Sequence, residues 1–297
     1  MKDMKAFTLT VFTPTYNRAN LLNNGYKALC RQTSRDFCWL IIDDGSTDNT
    51  KETVEKWIKE NRIPITYIYK ENGGLHTGYN KAIEVMNTEL CVCIDSDDWM
   101  PDDAVEKIIN CWKGKGAKKY AGIVGLDYID DKTPIGGLFP PIGHCHYYDL
   151  DFKYHHYGDD KIIVRVDLFK KVAPQPTYNG EKNFNPMYMI NKIDLNYEWL
   201  ITNENLCFVD YQPNGMANSI FKQYLNSPNS FAALRIQYFL FPNTSLKYKI
   251  KQYIHLCSSV CLAHNFAWLN EAPYPVIAYL FLPLGFLFSL YVRYKAI

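Results

Sequence analysis

The sequence has no large excess of charge of either sign. Its 32 Lys and Arg nearly balance 31 Asp and Glu, which leaves a formal net charge of +1 at pH 7. Strongly basic proteins attract polyanions through their overall electrostatic field, and this composition supplies no such field. We therefore expect no nucleic-acid partner.

The sequence also lacks paired cysteines. It contains nine Cys, an odd number, without a CxxC pair or the Cys/His spacing of a structural zinc site. Several lie in apolar runs, where cysteine behaves as a small hydrophobic residue. Four histidines (His144, His146, His155 and His156) lie near one another in the sequence, but their spacing matches no standard zinc site either. This pattern favours a reducing compartment.

Long apolar runs are absent until the C-terminal part. The run before Pro14 is too short for a signal peptide, so we expect a cytoplasmic protein. Residues 272–292 contain no Asp, Glu, Lys or Arg, and this length meets the roughly 20 residues that a spanning helix needs. Pro275, Pro283 and Gly285 weaken the prediction of a regular helix. The segment either spans the membrane, lies in its plane or forms a hairpin, and a helix buried in a soluble domain is the alternative.

Aromatic and basic residues flank the apolar segment. Tyr274, Tyr279 and Tyr291 suit the interface between lipid and water, and Arg293 follows them. The stretch 247–251 alternates lysines with apolar residues, which fits either a solvated helix face or a contact with anionic lipid. We predict a peripheral or monotopic association with the inner face of the cell membrane.

Residues 6–125 alternate between short apolar runs and segments with helical spacing. We predict strands at 6–13, 39–42, 65–69 and 91–94, with helices at 20–32, 47–59, 77–86 and 101–112. This alternation is typical of an α/β fold with a mainly parallel sheet flanked by helices. Farther along, we predict a long loop region at 127–160, a strand and a helix within 161–172, a helix at 188–203 and a strand at 206–211.

Three aspartates follow the apolar run that begins at Cys91. Asp95, Asp97 and Asp98 come directly after this predicted strand, at the sheet edge where open α/β sheets bind ligands. Carboxylates this close repel one another unless a cation lies between them, and oxygen ligands suit Mg²⁺ or Mn²⁺. A polar turn is the alternative interpretation, because Asp and Ser are common turn residues.

Four segments occur in an order that resembles the family 2 glycosyltransferases. They are TPTYNR at 13–18, IDDGSTDNT at 42–50, ENGG continuing to NKA at 71–82, and DSDDWMP at 95–101. The resemblance is dense over residues 6–112 and looser through 158–161, 180–182 and 211–215. It implies a GT-A domain over 1–215, with a nucleotide-sugar-binding half at 1–125 and an acceptor-side half at 126–215. A C-terminal apolar helical, membrane-associating region at 216–297 would follow.

The resemblance also implies an activity, which is inverting transfer of a sugar to a hydroxyl of a glycan or lipid-linked acceptor. The donor would be a nucleoside diphosphate sugar, with UDP expected, as in polysaccharide or cell-surface glycan synthesis. Asp97 would hold the divalent metal, Mn²⁺ or Mg²⁺, that bridges the two phosphates. The residues implied in donor binding are Pro14, Tyr16, Arg18, Asp44, Gly73, His76, Asn80, Lys81, Asp95 and Ser96.

The sequence departs from the family at the position expected for the general base. Related sequences commonly carry an acid at the end of a segment like Gly-Glu-Lys-Phe-x-Pro-Glu, but Met187 occupies that position here. Because methionine cannot accept a proton, we predict Glu181 as the catalytic base, with Asp194 and Glu198 as alternatives. The same departure supports a second hypothesis, a degenerate transferase that only binds a nucleotide sugar or a partner enzyme.

Overall fold

The computed structural model describes residues 6–114, 117–212 and 219–296. The chain divides into two compact units. The first comprises Met1–Gly73, Thr77–Pro174 and Lys192–Tyr211, and the second comprises Gly74–His76, Gln175–Asn191 and Gln212–Ile297. The predicted boundary between residues 215 and 216 lies outside the described residues.

The first unit is built on one eight-stranded sheet, with the order β3-β2-β1-β4-β7-β5-β8-β6. The strands are β1 (Leu9–Thr15), β2 (Phe37–Asp43), β3 (Ile65–Tyr69), β4 (Leu90–Cys93), β5 (Gly122–Tyr128), β6 (His144–Cys145), β7 (Asp160–Arg165) and β8 (Trp199–Phe208). Strands β3, β2, β1 and β4 are parallel neighbours, and β5 is parallel to β8. Strand β7 is antiparallel to β4 and β5, and β6 is antiparallel to β8. The predicted α/β sheet is confirmed.

Helices cover this sheet and form the bulk of the second unit. They are α1 (Leu22–Arg31), α2 (Thr50–Glu60), α3 (Leu75–Val85), α4 (Ala104–Gly114), α5 (Tyr147–Phe152), α6 (Val166–Val172), α7 (Met187–Asp194), α8 (Ile220–Asn226), α9 (Pro228–Tyr238), α10 (Leu246–Ala263) and α11 (Pro275–Lys295). Strands β1 and β2 are buried along their whole length, as expected for strands covered on both faces.

Two predicted segments differ from the structure. The predicted helix at 188–203 is wrong, because α7 ends at Asp194 and β8 begins at Trp199. Apolar residues through this stretch fit helical spacing, but pairing of Leu200 and Ile201 with β5 makes the second half a buried strand. The predicted loop region at 127–160 contains β6 and α5, two elements too short to give a clear periodic pattern.

Candidate nucleotide-sugar site

The candidate site lies at the carboxyl ends of β1, β2 and β4. Because these strands are parallel neighbours, the residues that follow them lie at one edge of the sheet. The Thr13 hydroxyl donates to the Ile94 carbonyl at 2.8 Å and accepts from the Trp39 indole N–H at 3.0 Å. This side chain therefore links β1 to β2 and to the residue that follows β4.

Asn17 joins the loop after β1 to the loop after β2. Its backbone lies in the left-handed region, at φ 53°, which asparagine tolerates better than most residues. The side-chain oxygen of Asn17 accepts from the backbone N–H of Thr47 at 2.7 Å, and the backbone N–H of Asn17 donates to the Ser46 hydroxyl at 2.8 Å. The sequence analysis gave Asn17 no role, although it lies within the TPTYNR segment.

Asp44, one of the residues implied in donor binding, is buried and positions the segment after β3. Its carboxylate pairs with the Lys70 ammonium and accepts from the Gly73 backbone N–H at 3.0 Å. The Asn72 side-chain amide donates to the Asp44 carbonyl at 2.8 Å. Gly45 has φ 86°, and a Cβ there would lie 2.8 Å from the Asn72 nitrogen. The close approach of these loops therefore requires glycine.

Arg18 bridges from the loop after β1 to the aspartate segment after β4. Its Nη1 donates to Asp97 Oδ2 at 3.1 Å and to the Ser96 hydroxyl at 3.1 Å. The guanidinium side chain is 35% exposed and the Asp97 side chain 14% exposed. The structure therefore brings Arg18, Ser96 and Asp97 together, and the Arg18 guanidinium stays accessible to solvent.

Asp97 lies in a strongly acidic environment. Burial raises the pKa of its carboxyl, Arg18 opposes this shift, and Asp95 and Asp210 raise the pKa further by repulsion. Asp210 is not among the predicted site residues, because the sequence predicts a strand over 206–211. Strand β8 ends at Phe208, so Asp210 lies beyond the strand and is exposed.

Asp98 is a buried neighbour that holds the segment in place. Burial raises its pKa to about 7, and the Lys161 ammonium opposes this shift. Lys161 Nζ lies 4.0 Å from Asp98 Oδ2 and 3.4 Å from Asp127 Oδ2. The Asp98 carboxylate also accepts from the Asp210 backbone N–H at 3.2 Å. These contacts suit an orienting role for Asp98.

The donor set fits a hard divalent cation. Asp95, Asp97 and Asp210 supply carboxylate oxygens, which Mg²⁺ and Mn²⁺ prefer, and their mutual repulsion would fall on cation binding. Within residues 6–114, 117–212 and 219–296, no three His, Cys, Asp or Glu side chains are arranged to hold a metal by themselves. Mg²⁺ often binds through one or two carboxylates plus substrate phosphates. The residues therefore fit a cation held jointly with a diphosphate.

Other residues implied in donor binding have different surroundings. Pro14 is buried at the end of β1, and a Cβ on Gly78 of α3 would lie 3.3 Å from its Cβ. Tyr16 is exposed, and Asn80 is half-buried on α3. The Lys81 ammonium pairs with Glu84, one turn later on the same helix, at 3.0 Å. Lys81 is therefore engaged within α3.

His76 and Glu181 belong to the second unit. His76 is buried, and its ring centroid lies 6.2 Å from that of Phe184. The Glu181 side chain contacts the first residues of α9. Its Oε1 accepts from the Asn229 backbone N–H at 2.8 Å and from the Asn229 side-chain amide at 2.9 Å. Oε2 accepts from the Ser230 backbone N–H at 2.8 Å and hydroxyl at 2.6 Å. A general base must direct a lone pair at its substrate, so these contacts do not support Glu181 in that role.

The alternative bases are also engaged. Asp194 is fully buried and accepts from the Trp199 indole N–H at 2.9 Å and the Tyr148 backbone N–H at 2.9 Å. Burial raises the pKa of Asp194 to about 6. Glu198 lies 2.8 Å from Nδ1 of His144. Both carboxylates therefore make contacts that suit structural roles.

The family described as "Glycosyl transferase family 2" matches residues 10–166, which is more than half of the chain. Validoxylamine A glucosyltransferase of Streptomyces hygroscopicus is 44% identical over 144 residues, covering 45% of this chain and 33% of that protein. Glycosyltransferase GlyA of Streptococcus pneumoniae is 33% identical over 100 residues, covering 34% of this chain and 14% of that protein. The chain thus spans a third or less of the length of these two relatives.

Solved structures share the fold over nearly the whole chain. Staphylococcus aureus TarS 1–349 in complex with UDP-GlcNAc has a TM-score of 0.60 at 15% identity, covering 97% of this chain and 92% of that one. Mannosyltransferase PcManGT of Pyrobaculum calidifontis, in complex with GDP-Man and Mn²⁺, has a TM-score of 0.58 at 18% identity, covering 97% and 83%. Together with the family match, this likeness shows that the chain belongs to glycosyl transferase family 2 and has the GT-A fold.

Proposed function

We propose that this protein transfers a sugar from a nucleoside diphosphate donor, with UDP as the nucleotide, to a hydroxyl of a glycan or lipid-linked acceptor. The observation that carries this proposal is the Arg18–Asp97 pair within the acidic edge of a parallel sheet. The UDP-GlcNAc complex of a protein with the same fold supports the choice of UDP. Polysaccharide synthesis is supported by similarity to the chondroitin synthase of Pasteurella multocida.

The proposed donor site uses each loop at this edge for a different part of the nucleotide sugar. Asp44 hydrogen-bonds the nucleobase of the donor, and Asp95 contacts its ribose. Arg18 binds a phosphate, because a guanidinium can donate two parallel hydrogen bonds to phosphate oxygens. Gly73 and Ser96 line the same site. Pro14, Tyr16, His76, Asn80 and Lys81 stay in the proposal on the resemblance alone.

Asp97 is the proposed ligand of Mn²⁺ or Mg²⁺, and Asp95 and Asp210 complete the acidic surroundings. The ion would stabilise negative charge that develops on the diphosphate as it leaves. The chain's own contribution is to hold the Asp97 carboxylate half-buried beside Arg18, with its orientation fixed by the hydrogen bond at 3.1 Å. The buried Asp98 and Lys161 side chains, with Nζ 4.0 Å from Oδ2, help to hold the aspartate segment after β4 in place.

Inverting transfer needs a carboxylate that takes the proton from the acceptor hydroxyl as the oxygen attacks the anomeric carbon. We propose Asp159 for this role in place of Glu181. Strand β7 runs antiparallel to β4 with Val92 opposite Ile163, so the residue before β7 lies beside the aspartates after β4. Asp159 is exposed, and the Tyr211 hydroxyl donates to it.

The assignments of Asp159 and of Glu181 as the general base lead to opposite kinetic expectations. Asp159→Asn should lower kcat by about 10²-fold or more with little change in the KM of the donor, whereas Glu181→Gln should leave kcat within a few fold. Release of UDP from UDP-sugars, measured with an acceptor mixture and Mn²⁺, gives both values. A large loss of kcat in Glu181→Gln with unchanged stability would restore Glu181 as the base.

The activity itself is tested by release of UDP from a panel of UDP-sugars. Asp97→Asn should abolish release, and Asp131→Asn, a change in an exposed loop, should leave it unchanged. The alternative, a degenerate transferase, is motivated by Met187 at the expected position of the base. It would bind UDP-sugars without releasing UDP under any acceptor condition, which would overturn the proposed activity.

We also propose that the protein works in the cytoplasm, at the inner face of the cell membrane. All nine cysteines are free thiols, as is usual in a reducing compartment. An acceptor linked to lipid would be reached most readily by an enzyme held at the membrane surface. Cell fractionation, with the protein recovered from the membrane fraction, tests this location.

A further inference from the structure

Helix α11 exposes far more apolar surface than a helix of a soluble protein usually does. Only 22% of its most apolar 18-residue stretch is buried. Val276, Leu280 and Leu287 are 75%, 74% and 61% exposed. A core helix would bury such side chains, and a surface helix would carry polar ones instead. Burial within the chain therefore does not account for the composition of α11.

The exposed residues of α11 occupy one continuous side of the helix. At about 100° per residue, the exposed positions from 276 to 291 cover an arc of about 180°. We call this surface the apolar arc. Its members are Val276, Ile277, Tyr279, Leu280, Pro283, Leu284, Phe286, Leu287, Leu290 and Tyr291. Four small or medium residues lie opposite and are buried: Ala278, Gly285, Ser289 and Val292.

The buried side of α11 packs closely against α10. A Cβ on Gly285 would lie 2.2 Å from the Cβ of Cys257. The Cys257 thiol donates to the Ala278 carbonyl at 3.2 Å, and the Tyr253 and Phe281 rings stack with centroids 5.6 Å apart. Contacts of this kind run from near the start of α11 to beyond its middle, so lipid cannot surround the helix.

This packing distinguishes between the ways in which α11 could contact a membrane. Helix α10 buries polar side chains, among them Gln252 and Ser258, and Gln252 contacts Arg235 of α9 at 3.3 Å. A spanning α11 would draw these groups into the hydrocarbon core, which is unfavourable for any polar group left without a partner there. A helix lying in the membrane plane immerses only its apolar arc and avoids this cost.

The C-terminal part of the chain is basic, which favours contact with an anionic surface. Residues 212–297 contain seven Lys and Arg against a single acidic residue, Glu271. Lys247, Lys249 and Lys251 lie in the first two turns of α10, and Arg293 lies in the last turn of α11. Cys257 contacts Ala278, whereas Tyr253, one turn earlier in α10, contacts Phe281, which lies later in α11. The two helices therefore run antiparallel, and these cations lie at the same end of the pair.

We propose that α11 lies in the plane of an anionic lipid bilayer, with the apolar arc among the acyl chains and the basic end of the α10–α11 pair on the headgroups. Helices that lie in the membrane plane bury their apolar face roughly 5–10 Å into the boundary between headgroups and acyl chains, and anionic lipid attracts Lys and Arg near the surface. Tyr279 and Tyr291 belong to the arc, and tyrosine suits the interface between lipid and water. This inference is independent of the proposed transfer reaction.

The first test is co-flotation of the purified full chain with vesicles, in the absence of donor and acceptor. Vesicles of phosphatidylcholine with phosphatidylglycerol should bind the protein, and vesicles of phosphatidylcholine alone should bind it more weakly. The double variant Leu280→Asp/Leu287→Asp should lose at least about tenfold in affinity. The matched control Leu138→Asp, at a residue 62% exposed in the first unit, should bind like the unmodified protein.

A second variant tests the electrostatic part. Lys247→Gln/Lys249→Gln/Lys251→Gln should remove most of the preference for phosphatidylglycerol. Each variant is accepted only if its circular dichroism spectrum and melting temperature match those of the unmodified protein; all of the changed side chains are exposed. Vesicle binding that survives the double aspartate change would overturn the role of the apolar arc. An equal affinity for both vesicle types would overturn the role of charge.

The orientation is tested with a protease-cleavable tag after residue 297. With the protein bound to preformed vesicles, the in-plane arrangement leaves the tag outside, where added protease removes it completely. A spanning helix would carry the tag into the lumen and protect it until detergent is added. Protection of this kind would overturn the in-plane arrangement.

Discussion

At the scale of single residues, the structure distinguishes buried carboxylates that stabilise the fold through hydrogen bonds from carboxylates exposed at the sheet edge. Glu181 and Asp194 are buried and accept several hydrogen bonds each, whereas Asp95 and Asp210 are exposed beside Asp97. Carboxylates with both oxygens engaged in hydrogen bonds within the fold stabilise the folded state, whereas exposed ones are open to a substrate. This distinction cannot be read from residue type.

Glu181 should therefore be important for stability. Glu181→Ala leaves the Asn229 and Ser230 N–H groups at the start of α9 without their acceptor. We expect a loss of about 2–4 kcal/mol in the free energy of unfolding, measured by urea denaturation. Glu181→Gln should cost less, because one oxygen still accepts. The exposed Glu55→Ala is the control, with an expected change below about 0.5 kcal/mol. An equally small effect of Glu181→Ala would refute the capping role.

Asp160 should make stability depend on pH. Burial raises its pKa to about 8, and Asp127 adds to this shift, while the Tyr147 hydroxyl opposes it. Because the folded state favours the protonated form, this contribution is complete below about pH 4 and is lost as the pH rises through 8. The unmodified protein should lose stability relative to Asp160→Asn from pH 5 to 8, by at most about 1.4 kcal/mol per pH unit. Parallel melting curves across this range would exclude the effect.

At the scale of elements, close packing of α11 on α10 depends on one glycine. Gly285→Val would place a branched side chain where Cys257 and the Ser258 backbone already lie. We expect a loss of about 1–3 kcal/mol or more from overpacking, seen as a lower melting temperature. Gly114→Ala, at the end of α4 with no atom within 4 Å of the added Cβ, is the matched control and should be neutral. A neutral Gly285→Val would mean that the two helices pack less closely.

The same scale shows what could be predicted from sequence. Strands β1 to β4 and their helices were predicted because apolar runs alternate there with helical spacing and clear turn residues. Strand β8 was partly missed because its apolar residues continue the pattern of α7, and only pairing with β5 separates the two. The aspartate segment after β4 was predicted as a ligand site, but Asp210 was not, because its position depends on where β8 ends.

At the scale of the whole molecule, charge divides along the sequence. The net charge of +1 conceals a basic C-terminal part, residues 212–297, and an acidic remainder that includes the sheet edge. A negative site binds a diphosphate poorly unless a cation lies between them, because the charges repel. We therefore expect nucleotide binding at the proposed site to depend on a divalent ion.

Calorimetric titration with UDP, with and without Mn²⁺, tests that claim most directly. We expect binding that requires Mn²⁺, falls at least about tenfold in Asp97→Asn and is unchanged in Asp131→Asn. Binding of equal strength without the ion, or unchanged binding in Asp97→Asn, would contradict the assignment of Asp97 and with it the proposed site.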